Sequence, residues 1–396
     1  MTYPCLDQNR LQSQFCQEHA TYTITDFSRI AKLHALLDSA DKETPIALLY
    51  DDDADGVSSG VFLQLLLESY GFCNIVSTPK ARDRATFSSD FLRNLEAMGV
   101  HIVICVDFEP ISWRLIGEKK MEELPFDVVV IDHHFDQTDL YDRMGYLFLH
   151  PLNMTNSDAP SQYCCAKFVY DIVHSLIDIS THNWKAAVGM IGDMNIIQWP
   201  EYVSCVAKSH GVQITPSQKQ SFFANPLGHF ANVIGFAASV GSDELEPLFL
   251  AYVRASSVNE LSEYFAKYAN IQADYDSIIT NWENVAEFDA EHDIYFVPIN
   301  SKHMLASLAS SVVSYINDAY SFCFYQYNHQ KAYHISMRSQ RAKVHLGNLL
   351  ASVAGGFSQA NGGGHIPAAG GFCQQKDFPK YIQAIKDKYD KFRIAE

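Results

Sequence analysis

The densest group of chemically reactive side chains in the sequence is Asp51-Asp52-Asp53-Ala54-Asp55. The apolar residues 46–49 before it predict a buried parallel strand, and the apolar run 60–67 after it predicts the start of a helix. Four carboxylates therefore lie in the turn between the carboxyl end of a strand and a helix, where open α/β sheets bind ligands. Because like charges a few ångströms apart raise one another's pKa, a divalent cation such as Mg²⁺ or Mn²⁺ is the usual compensation. An acidic surface loop is the alternative interpretation.

Two further predicted strands end in residues of the same kind. The apolar run 101–106 is followed by Asp107, and the run 126–131 is followed by Asp132, His133 and His134. Helical patterns separate these strands, which predicts βαβ units and a parallel sheet with right-handed crossovers. Because the carboxyl ends of parallel strands lie on one edge of a sheet, we expect the three groups to converge in space.

Phosphoryl transfer with two metal ions requires such a set of oxygen and nitrogen ligands. Two cations about 3.5–4 Å apart activate a water molecule and offset the charge of the phosphate oxygens. The candidate ligands come from four segments and are Asp53, Asp55, Asp107, His133 and Asp193. Asp107 lies between the other groups in the sequence and is the candidate for a carboxylate that bridges two ions.

The remaining residues of these groups suggest supporting roles. Asp132 would orient a histidine through its second ring nitrogen. His134 would face the scissile phosphate, as an electrophile or as an acid for the leaving oxygen, so the predicted catalytic residues are Asp132, His133 and His134. Ser58 and Ser59 open a helix, where backbone N–H groups favour a phosphate. A histidine pair without a chemical role is the alternative, but the buried strand and the aspartate before it make that weaker.

Composition limits the class of protein. The 396 residues suffice for two or three domains, and 47% hydrophobic with 13% aromatic residues can build sizeable cores. A net charge of −17 disfavours extended electrostatic binding of long duplex nucleic acid, although local basic grooves remain compatible with it. The sequence shows no apolar run of membrane-spanning length and no signal-peptide pattern.

The nine cysteines are scattered and form no CxxC pair. This pattern predicts reduced thiols, and we therefore expect a cytoplasmic protein. Cys164 and Cys165 are adjacent and lie in an apolar helical pattern, which predicts core packing for both.

The order of the predicted elements indicates an α/β protein with three parts. Residues 1–200 are expected to form a parallel-sheet domain with helices on both faces, and residues 201–291 a helical connector or insertion whose role the sequence leaves open. Residues 292–396 are expected to form a smaller α/β domain that includes an antiparallel hairpin over 321–337. We expect the cleft between the two α/β domains to hold the substrate, with domain closure controlling access.

These segments resemble, in order, the motifs of the DHH phosphoesterase superfamily. The four matching segments are 51–59, 106–107, 130–134 and 192–193. Residues 335–339 and 362–370 resemble the DHH-associated substrate-binding domain, so the resemblance implies a DHH catalytic domain at 1–200 and the associated domain at 292–396. It further implies hydrolysis of phosphodiester or phosphoanhydride bonds with Mn²⁺ or Mg²⁺, in a site for two ions. The aspartates and His133 named above match the family's metal ligands, and Arg338 and His365 match residues that hold the substrate phosphate.

One departure from the family's pattern favours a particular branch. Many members, including pyrophosphatases and nano-RNases, have a metal-binding histidine four positions before the aspartate that matches Asp53. Leu49 occupies that position here, and Asp51 lies two before, which is similar to the RecJ single-strand exonucleases. Whether Asp51 is a direct ligand or orients one stays open. The sequence ends shortly after the glycine motif, so we expect no counterpart of the OB domain of bacterial RecJ.

The C-terminal motif also has a physical interpretation of its own. The consecutive glycines Gly362, Gly363 and Gly364 let backbone amides approach an anion, and His365 adds a donor. Arg338 offers a planar fork to a phosphate or stacks on a base. Together with Ser59 these are the candidate substrate-binding residues, and a flexible glycine loop is the alternative. Three basic residues after the second predicted strand fit a solvated turn better than a phosphate contact: Lys80, Arg82 and Arg84.

Three functions are compatible with these features. The first is a metal-dependent phosphodiesterase that hydrolyses single-stranded or short oligonucleotides to mononucleotides. The second applies the same chemistry to a small phosphorylated metabolite, such as a cyclic dinucleotide, a phosphorylated nucleoside or a pyrophosphate-type anhydride, and the net charge of −17 favours it slightly. The third is a non-catalytic binding module, which the presence of all five candidate ligands disfavours. We expect no membrane partner, and a homo-oligomer is compatible with the sequence.

Overall fold

The computed structural model describes residues 17–79, 89–108, 110, 121–134, 137–156, 162–328 and 331–394. The chain divides into two compact units, Met1–Lys267 and Tyr268–Glu396. The basic residues Lys80, Arg82 and Arg84 lie outside the described residues, as does part of the turn between the two strands of the predicted hairpin.

The first unit alternates strands and helices and then becomes helical. Its strands are β1 (Ile46–Tyr50), β2 (Ile75–Pro79), β3 (Ile102–Val106), β4 (Asp127–Ile131) and β5 (Leu147–Leu149). Its helices are α1 (Ser28–Ser39), α2 (Ala54–Ser69), α3 (Ser89–Ala97), α4 (Thr138–Met144), α5 (Pro151–Met154), α6 (Cys165–Leu176), α7 (Asn183–Gly192), α8 (Pro200–Ser209), α9 (Pro226–Val240), α10 (Ser242–Arg254) and α11 (Ser262–Lys267).

The five strands form one parallel sheet in the order β2-β1-β3-β4-β5. In this order the chain turns from β1 outward to β2 and then returns past β1 to β3. The crevice at such a reversal, at the carboxyl ends of the strands, is where doubly wound sheets bind ligands. The predicted parallel sheet and the α/β class are confirmed.

Both faces of the sheet are covered. Every residue of β1 and β3 is buried, which is why their sequences are continuous apolar runs rather than alternating ones. On one face, Ala47 and Leu49 pack in a cluster with residues of β3, β4, β5, α3 and α4. On the other face, the ring of Tyr50 stacks on Phe249 of α10 at 4.5 Å between centroids.

Helix α2 lies at the centre of the first unit. Thirteen of its sixteen residues are buried, and its hydrophobic residues are distributed around the whole helix. A helix that is apolar on all sides must be surrounded by other elements. Helices α6, α7, α9 and α10 and strand β1 all contact it. The acidic turn that begins α2 is therefore held by a deeply packed element.

The second unit is built on a six-stranded sheet in the order β10-β11-β9-β8-β7-β6. Its strands are β6 (Glu287–Asp289), β7 (Ile294–Ile299), β8 (Ser321–Tyr327), β9 (Ala332–Ser339), β10 (Asn361–Gly364) and β11 (Ala368–Gln374). Its helices are α12 (Ala269–Val285), α13 (Ala306–Ile316), α14 (Leu346–Ala354) and α15 (Phe378–Lys388). Only β7 and β8 pair in parallel, and β8 and β9 form the predicted antiparallel hairpin.

The stretch 201–291, which the sequence predicts as a helical connector or insertion, contributes to both units. Helices α8–α11 belong to the first unit, where α9 packs on α7 and α10 packs on α2. Helix α12 and strand β6 belong to the second unit, where β6 pairs with β7.

None of the described helices is both long and apolar enough to cross a bilayer. The expectation of reduced thiols is wrong for Cys205, which is disulfide-bonded.

The close approach of α6 and α7 depends on Gly189. A Cβ atom on this residue would lie 2.3 Å from the Cβ of Ala166, too close without a backbone shift. We predict that Gly189→Ala lowers the free energy of unfolding by about 1–3 kcal/mol, although alanine has the higher helix propensity. Denaturant titration followed by circular dichroism measures this change.

Gly355→Ala is the matched control, since a Cβ there would have its nearest neighbour at an ordinary 3.6 Å. A Gly189→Ala protein as stable as this control would contradict the close helix contact.

Candidate metal centre

The registers of the parallel strands bring three acidic positions to one level of the sheet. Tyr50 pairs with Val106, and Val106 pairs with Ile131, so β1, β3 and β4 end side by side. The next residue along each strand is an aspartate: Asp51, Asp107 and Asp132. Their backbone amides continue the ladder with bonds of 3.3 Å to the Val106 carbonyl, 2.9 Å to the Ile131 carbonyl and 3.2 Å to the Leu149 carbonyl. Asp107 has a left-handed backbone with φ of 64°, which turns the chain away from the sheet at that point.

The turn after β1 places its carboxylates in two different environments. Asp53 is exposed and is the N-cap of α2, where its Oδ1 accepts hydrogen bonds of 3.0 Å from the amides of Asp55 and Gly56. Asp55 is buried, and its two oxygens accept bonds from the first amides of α6, at 2.9 Å from Cys165 and 2.7 Å from Ala166. The amino end of α6 therefore fixes the orientation of the Asp55 carboxylate.

His133 connects Asp55 with Asp107. Its Nε2 lies 3.5 Å from Oδ2 of Asp55 and 3.4 Å from Oδ1 of Asp107, and all three side chains are buried. Asp107, His133 and His134 offer ligand atoms that all lie within 4.8 Å of one another. Oδ1 of Asp107 is buried and makes no hydrogen bond with any described residue.

A second group of ligand atoms contains Asp55, Cys164 and Asp193, also within 4.8 Å of one another. Asp193 follows the last turn of α7, and Cys164 is the N-cap of α6. Asn195 ties the two ends together, since its Nδ2 donates to Oδ2 of Asp193 and its Oδ1 accepts from the Cys164 amide, both at 2.7 Å. Asp55 belongs to this group and also approaches His133 of the first, so the two groups adjoin.

Asp132 pairs with the second histidine of the motif rather than with the first. Its Oδ1 lies 2.7 Å from Nδ1 of His134 and accepts a 2.9 Å hydrogen bond from the backbone amide of His133. Burial opposes the charged imidazolium of His134, but the Asp132 carboxylate outweighs it and raises the pKa of His134 to about 9. Burial also opposes ionisation of Asp132, but His134 outweighs it and lowers the pKa of that carboxyl. The Asp132 carboxylate therefore favours the protonated form of the His134 imidazole.

The buried carboxylates of the centre resist ionisation. Burial, and next the charge of Asp53, raises the pKa of Asp55 to about 7, against the opposing effect of the α6 amides. Burial and the charges of neighbouring aspartates also raise the pKa values of Asp107 and Asp193 well above the usual range. Among the described residues, no lysine or arginine forms an ion pair with Asp55, Asp107 or Asp193.

These observations fit a divalent cation. Carboxylate oxygens are the donors that Mg²⁺ and Mn²⁺ favour, imidazole nitrogens are donors to transition-metal ions, and the buried Asp107 oxygen lacks a hydrogen-bond donor among the described residues. A cation would offset the charge that otherwise raises the pKa values of the three aspartates. Asp53 lies close enough to raise all three of those pKa values, but Asp51 and Asp53 fall outside the two ligand groups of the described residues.

The predicted substrate-binding residues Ser59 and Arg338 differ in their burial and in their neighbours. Ser59 is fully buried, one turn beyond Asp55 in α2. Arg338 lies in β9, where its Nε donates to Ser311 Oγ at 3.1 Å and its Nη2 donates to Ser307 Oγ at 3.2 Å. Burial lowers the pKa of Arg338 to about 10, and no described carboxylate forms an ion pair with it. A half-buried cation held only by neutral groups is suited to an anionic ligand.

The glycine motif forms strand β10 and its following turn. A Cβ on Gly362 would lie 2.6 Å from the Leu350 carbonyl oxygen, and one on Gly347 would lie 2.1 Å from the Gly364 carbonyl oxygen. These glycines therefore let α14 lie against the strand. Gly363 has no neighbour within 4 Å of a Cβ position among the described residues, and His365 is exposed. Close backbone approach by a ligand is thus open at Gly363.

A known domain family and several solved structures are similar to parts of this chain. A model of the DHHA1 domain matches residues 294–391, most of the second unit. RecJ from Thermus thermophilus in complex with Mn²⁺ is similar in structure, with a TM-score of 0.66 and 17% identity over 93% of this chain and 56% of that chain. The exonuclease RecJ bound to manganese gives a TM-score of 0.62 and 18% identity over 94% of this chain and 96% of that chain. The fold of the chain is thus similar to that of RecJ, and its second unit contains a match to the DHHA1 domain.

The RecJ-like fold extends to proteins with other names. An exopolyphosphatase-related protein from Bacteroides fragilis has a TM-score of 0.53 and 12% identity, over 92% of this chain and 97% of that chain. The chain spans little more than half of the Thermus thermophilus RecJ chain. No curated protein sequence matches it. At sequence identities of 12–18%, these similarities are similarities of fold.

Sequence patterns missed four groups of this centre. They are the Cys164 thiol, the two α6 amides that hold Asp55, and Asn195. Burial of both Cys164 and Cys165 agrees with the predicted core packing, but only Cys164 also joins a ligand group. The Asn two residues after Asp193 was the one available signal, since a short polar side chain there can reach back to the carboxylate.

The raised pKa of Asp55 predicts an effect of pH on stability. The folded state holds this proton up to about pH 7, whereas the unfolded state releases it near 3.8. Without divalent metal, unfolding free energy should therefore fall as pH rises from about 4 to 7, by at most about 1.4 kcal/mol per pH unit for this group. Added Mn²⁺ should raise the melting temperature more at pH 7 than at pH 5, because it competes with the proton.

Asp107→Asn removes one of the buried charges without removing a backbone contact of Asp55. We expect this variant, in EDTA at pH 7, to be about 1–3 kcal/mol more stable than the wild type, and to gain less from Mn²⁺. Thermal melts in EDTA and in Mn²⁺ measure both effects. Equal stabilisation of both proteins by Mn²⁺ would contradict the role of Asp107.

Proposed function

We propose that the protein is a metal-dependent phosphodiesterase that hydrolyses single-stranded or short oligonucleotides to mononucleotides. The observation that carries the proposal is the pair of adjoining ligand groups, in which His133 Nε2 lies 3.5 Å from Asp55 and 3.4 Å from Asp107. Two neighbouring divalent ions, Mn²⁺ or Mg²⁺, suit such a pair. The proposed ligands are Asp53, Asp55, Asp107, His133 and Asp193, with Asp51 as a residue that binds or orients them.

The reaction is the attack of water on the phosphorus atom of a diester. These residues would hold divalent cations, which would supply Lewis-acid polarisation of the phosphate and would lower the pKa of the attacking water. The P–O bond to the leaving group breaks, giving a phosphomonoester and an alcohol. His134 is the proposed source of the proton that the leaving oxygen takes up, because the Asp132 carboxylate favours the protonated form of the His134 imidazole.

Residues of the second unit are the proposed phosphate-binding residues. Arg338 provides guanidinium N–H donors without a competing carboxylate among the described residues, and the exposed His365 provides a further donor. Gly363, flanked by Gly362 and Gly364, leaves room for a close approach of the backbone to an anion. Ser59 is proposed only as a residue supporting the acidic turn, since it is fully buried.

A small phosphorylated metabolite is the second candidate substrate. The net charge of −17 is unfavourable for long polyanions, which lose binding energy to general electrostatic repulsion. A cyclic dinucleotide, a phosphorylated nucleoside or a pyrophosphate-type anhydride would meet less of that repulsion. The chemistry of the metal centre would be the same in both cases.

Turnover of labelled single-stranded oligonucleotides in Mn²⁺ tests the proposal. We expect mononucleotide products from the wild type and a loss of at least about 100-fold in kcat for Asp107→Asn, because the variant removes a proposed ligand. Asp38→Asn is the matched control, since Asp38 is an exposed acid on α1. An Asp107→Asn enzyme as active as this control would refute the proposed centre.

A substrate panel separates the two candidates. Cleavage that depends on oligonucleotide length supports the nuclease, whereas turnover confined to dinucleotides, phosphorylated nucleosides or anhydrides supports the second candidate. Absence of Mn²⁺ binding in calorimetry would instead favour a binding module without catalysis.

The pH–rate profile tests His134. If its imidazolium supplies the proton, activity should decline above about pH 9, where that proton is lost. Asp132→Asn removes the carboxylate that raises this pKa, so the declining limb should move toward the ordinary imidazole value of 6.5, by about 1–3 pH units. Asp38→Asn should leave the limb in place. A limb that stays near pH 9 in Asp132→Asn would exclude His134 as the acid.

A further inference from the structure

Cys164 occupies an unusual place for a buried cysteine. It is the N-cap of α6, a position where a side chain normally accepts hydrogen bonds from the first amides of the helix. Its side chain makes no such capping bond, and the first amides of α6 donate to Asp55 instead. The Cys164 thiol therefore does not cap α6, and it hydrogen-bonds to the Asp55 carboxylate instead.

The surroundings place the Cys164 sulfur with two candidate metal ligands. Its Sγ and one oxygen each of Asp55 and Asp193 lie within 4.8 Å of one another. Asn195 holds the Cys164 backbone and the Asp193 carboxylate through two bonds of 2.7 Å, so the group is tied together from both ends. Packing alone does not require a bonded link between these two residues.

A separate observation points to a cation in the adjoining group of ligand atoms, which contains Asp107 and His133. Oδ1 of Asp107 is buried, has no hydrogen-bond donor among the described residues, and lies 3.4 Å from His133 Nε2, which in turn is 3.5 Å from Asp55. The carboxylates of Asp55 and Asp107 therefore converge from the first turn of α2 and from the end of β3, and Cys164 adjoins Asp55 from the N-cap of α6.

We propose that Cys164 is a third protein ligand, with Asp55 and Asp193, of one bound cation, and that its sulfur gives this position an affinity for thiophilic ions such as Zn²⁺. Thiolate ligands favour Zn²⁺ over Mn²⁺ and Mg²⁺, and three protein ligands with an open fourth position are typical of reactive zinc sites. On binding, the S–H bond breaks, a sulfur–metal bond forms and one proton passes to solvent. The inference rests on the proposed metal-dependent function, because it uses the same centre.

Cobalt substitution tests the sulfur ligand directly. Co²⁺ bound by a thiolate shows an intense near-ultraviolet charge-transfer band that oxygen and nitrogen ligands do not produce. We expect the full-length wild type loaded with Co²⁺ to show the band and Cys164→Ser to lose it while still binding Co²⁺. Cys165→Ser is the matched control and should keep the band, since its sulfur lies in the same buried helix end but outside the ligand group.

Metal competition gives a second measure. Cys164→Ser should bind Zn²⁺ at least about tenfold more weakly than the wild type, with a smaller change for Mn²⁺. Isothermal titration of the metal-free proteins measures both affinities. Equal weakening for the two ions would mean that the substitution disturbs the centre generally, and it would overturn the sulfur ligand.

The wild type alone supplies a test that does not depend on a folded variant. X-ray absorption of the zinc-loaded protein should show a sulfur neighbour at about 2.3 Å. Oxygen and nitrogen neighbours only, or a charge-transfer band that persists in Cys164→Ser, would overturn the inference, while Mn²⁺-dependent turnover by the wild type would leave the proposed function standing. Failure of the wild type to bind any divalent ion would overturn both.

Discussion

The concentration of negative charge at one edge of a parallel sheet is the constraint on which the first unit depends. Strands β1, β3 and β4 end in register, and an acidic residue follows each of them. The strands are buried on both faces, so these carboxylates cannot all turn to solvent. Backbone amides, a paired imidazole, protonation or a bound cation can offset their repulsion. The α6 amides bind Asp55, the His134 imidazole pairs with Asp132, and the donor set of the centre suits a cation.

The helical packing and the geometry of the centre are parts of one arrangement. The amino end of α6 reaches Asp55 because α6 and α7 pack closely on α2, an approach that Gly189 permits. Asn195 then joins the loop after α7 to the start of α6. A shift of any of these helices would change the distances between the ligand groups. Core packing therefore determines how the carboxylates face one another.

In the second unit the half-buried charge is positive rather than negative. Arg338 is a half-buried cation whose partners are serine hydroxyls and a backbone carbonyl. The glycines of this unit's motif have two physical roles, since Gly362 makes room for α14 and Gly364 for the start of β11, whereas Gly363 has no described neighbour within 4 Å of a Cβ position. A glycine motif of this kind is thus partly a packing feature. Its sequence alone does not separate the two roles.

The sequence by itself determined the class of fold, the order of the strands along the chain, and the acidic strand ends. It could do so because burial on both faces of a parallel sheet demands continuous apolar runs, and turns after them expose polar groups. Residue types and order also indicated the helical character of 201–291 and the hairpin of β8 and β9. The tertiary structure alone decided that Asp132 pairs with His134, that the α6 amides hold Asp55, and that Cys164 rather than Cys165 joins Asp193. These contacts join residues distant in the chain, or depend on which way a side chain turns at a helix end, and such distances are set only when the helices pack.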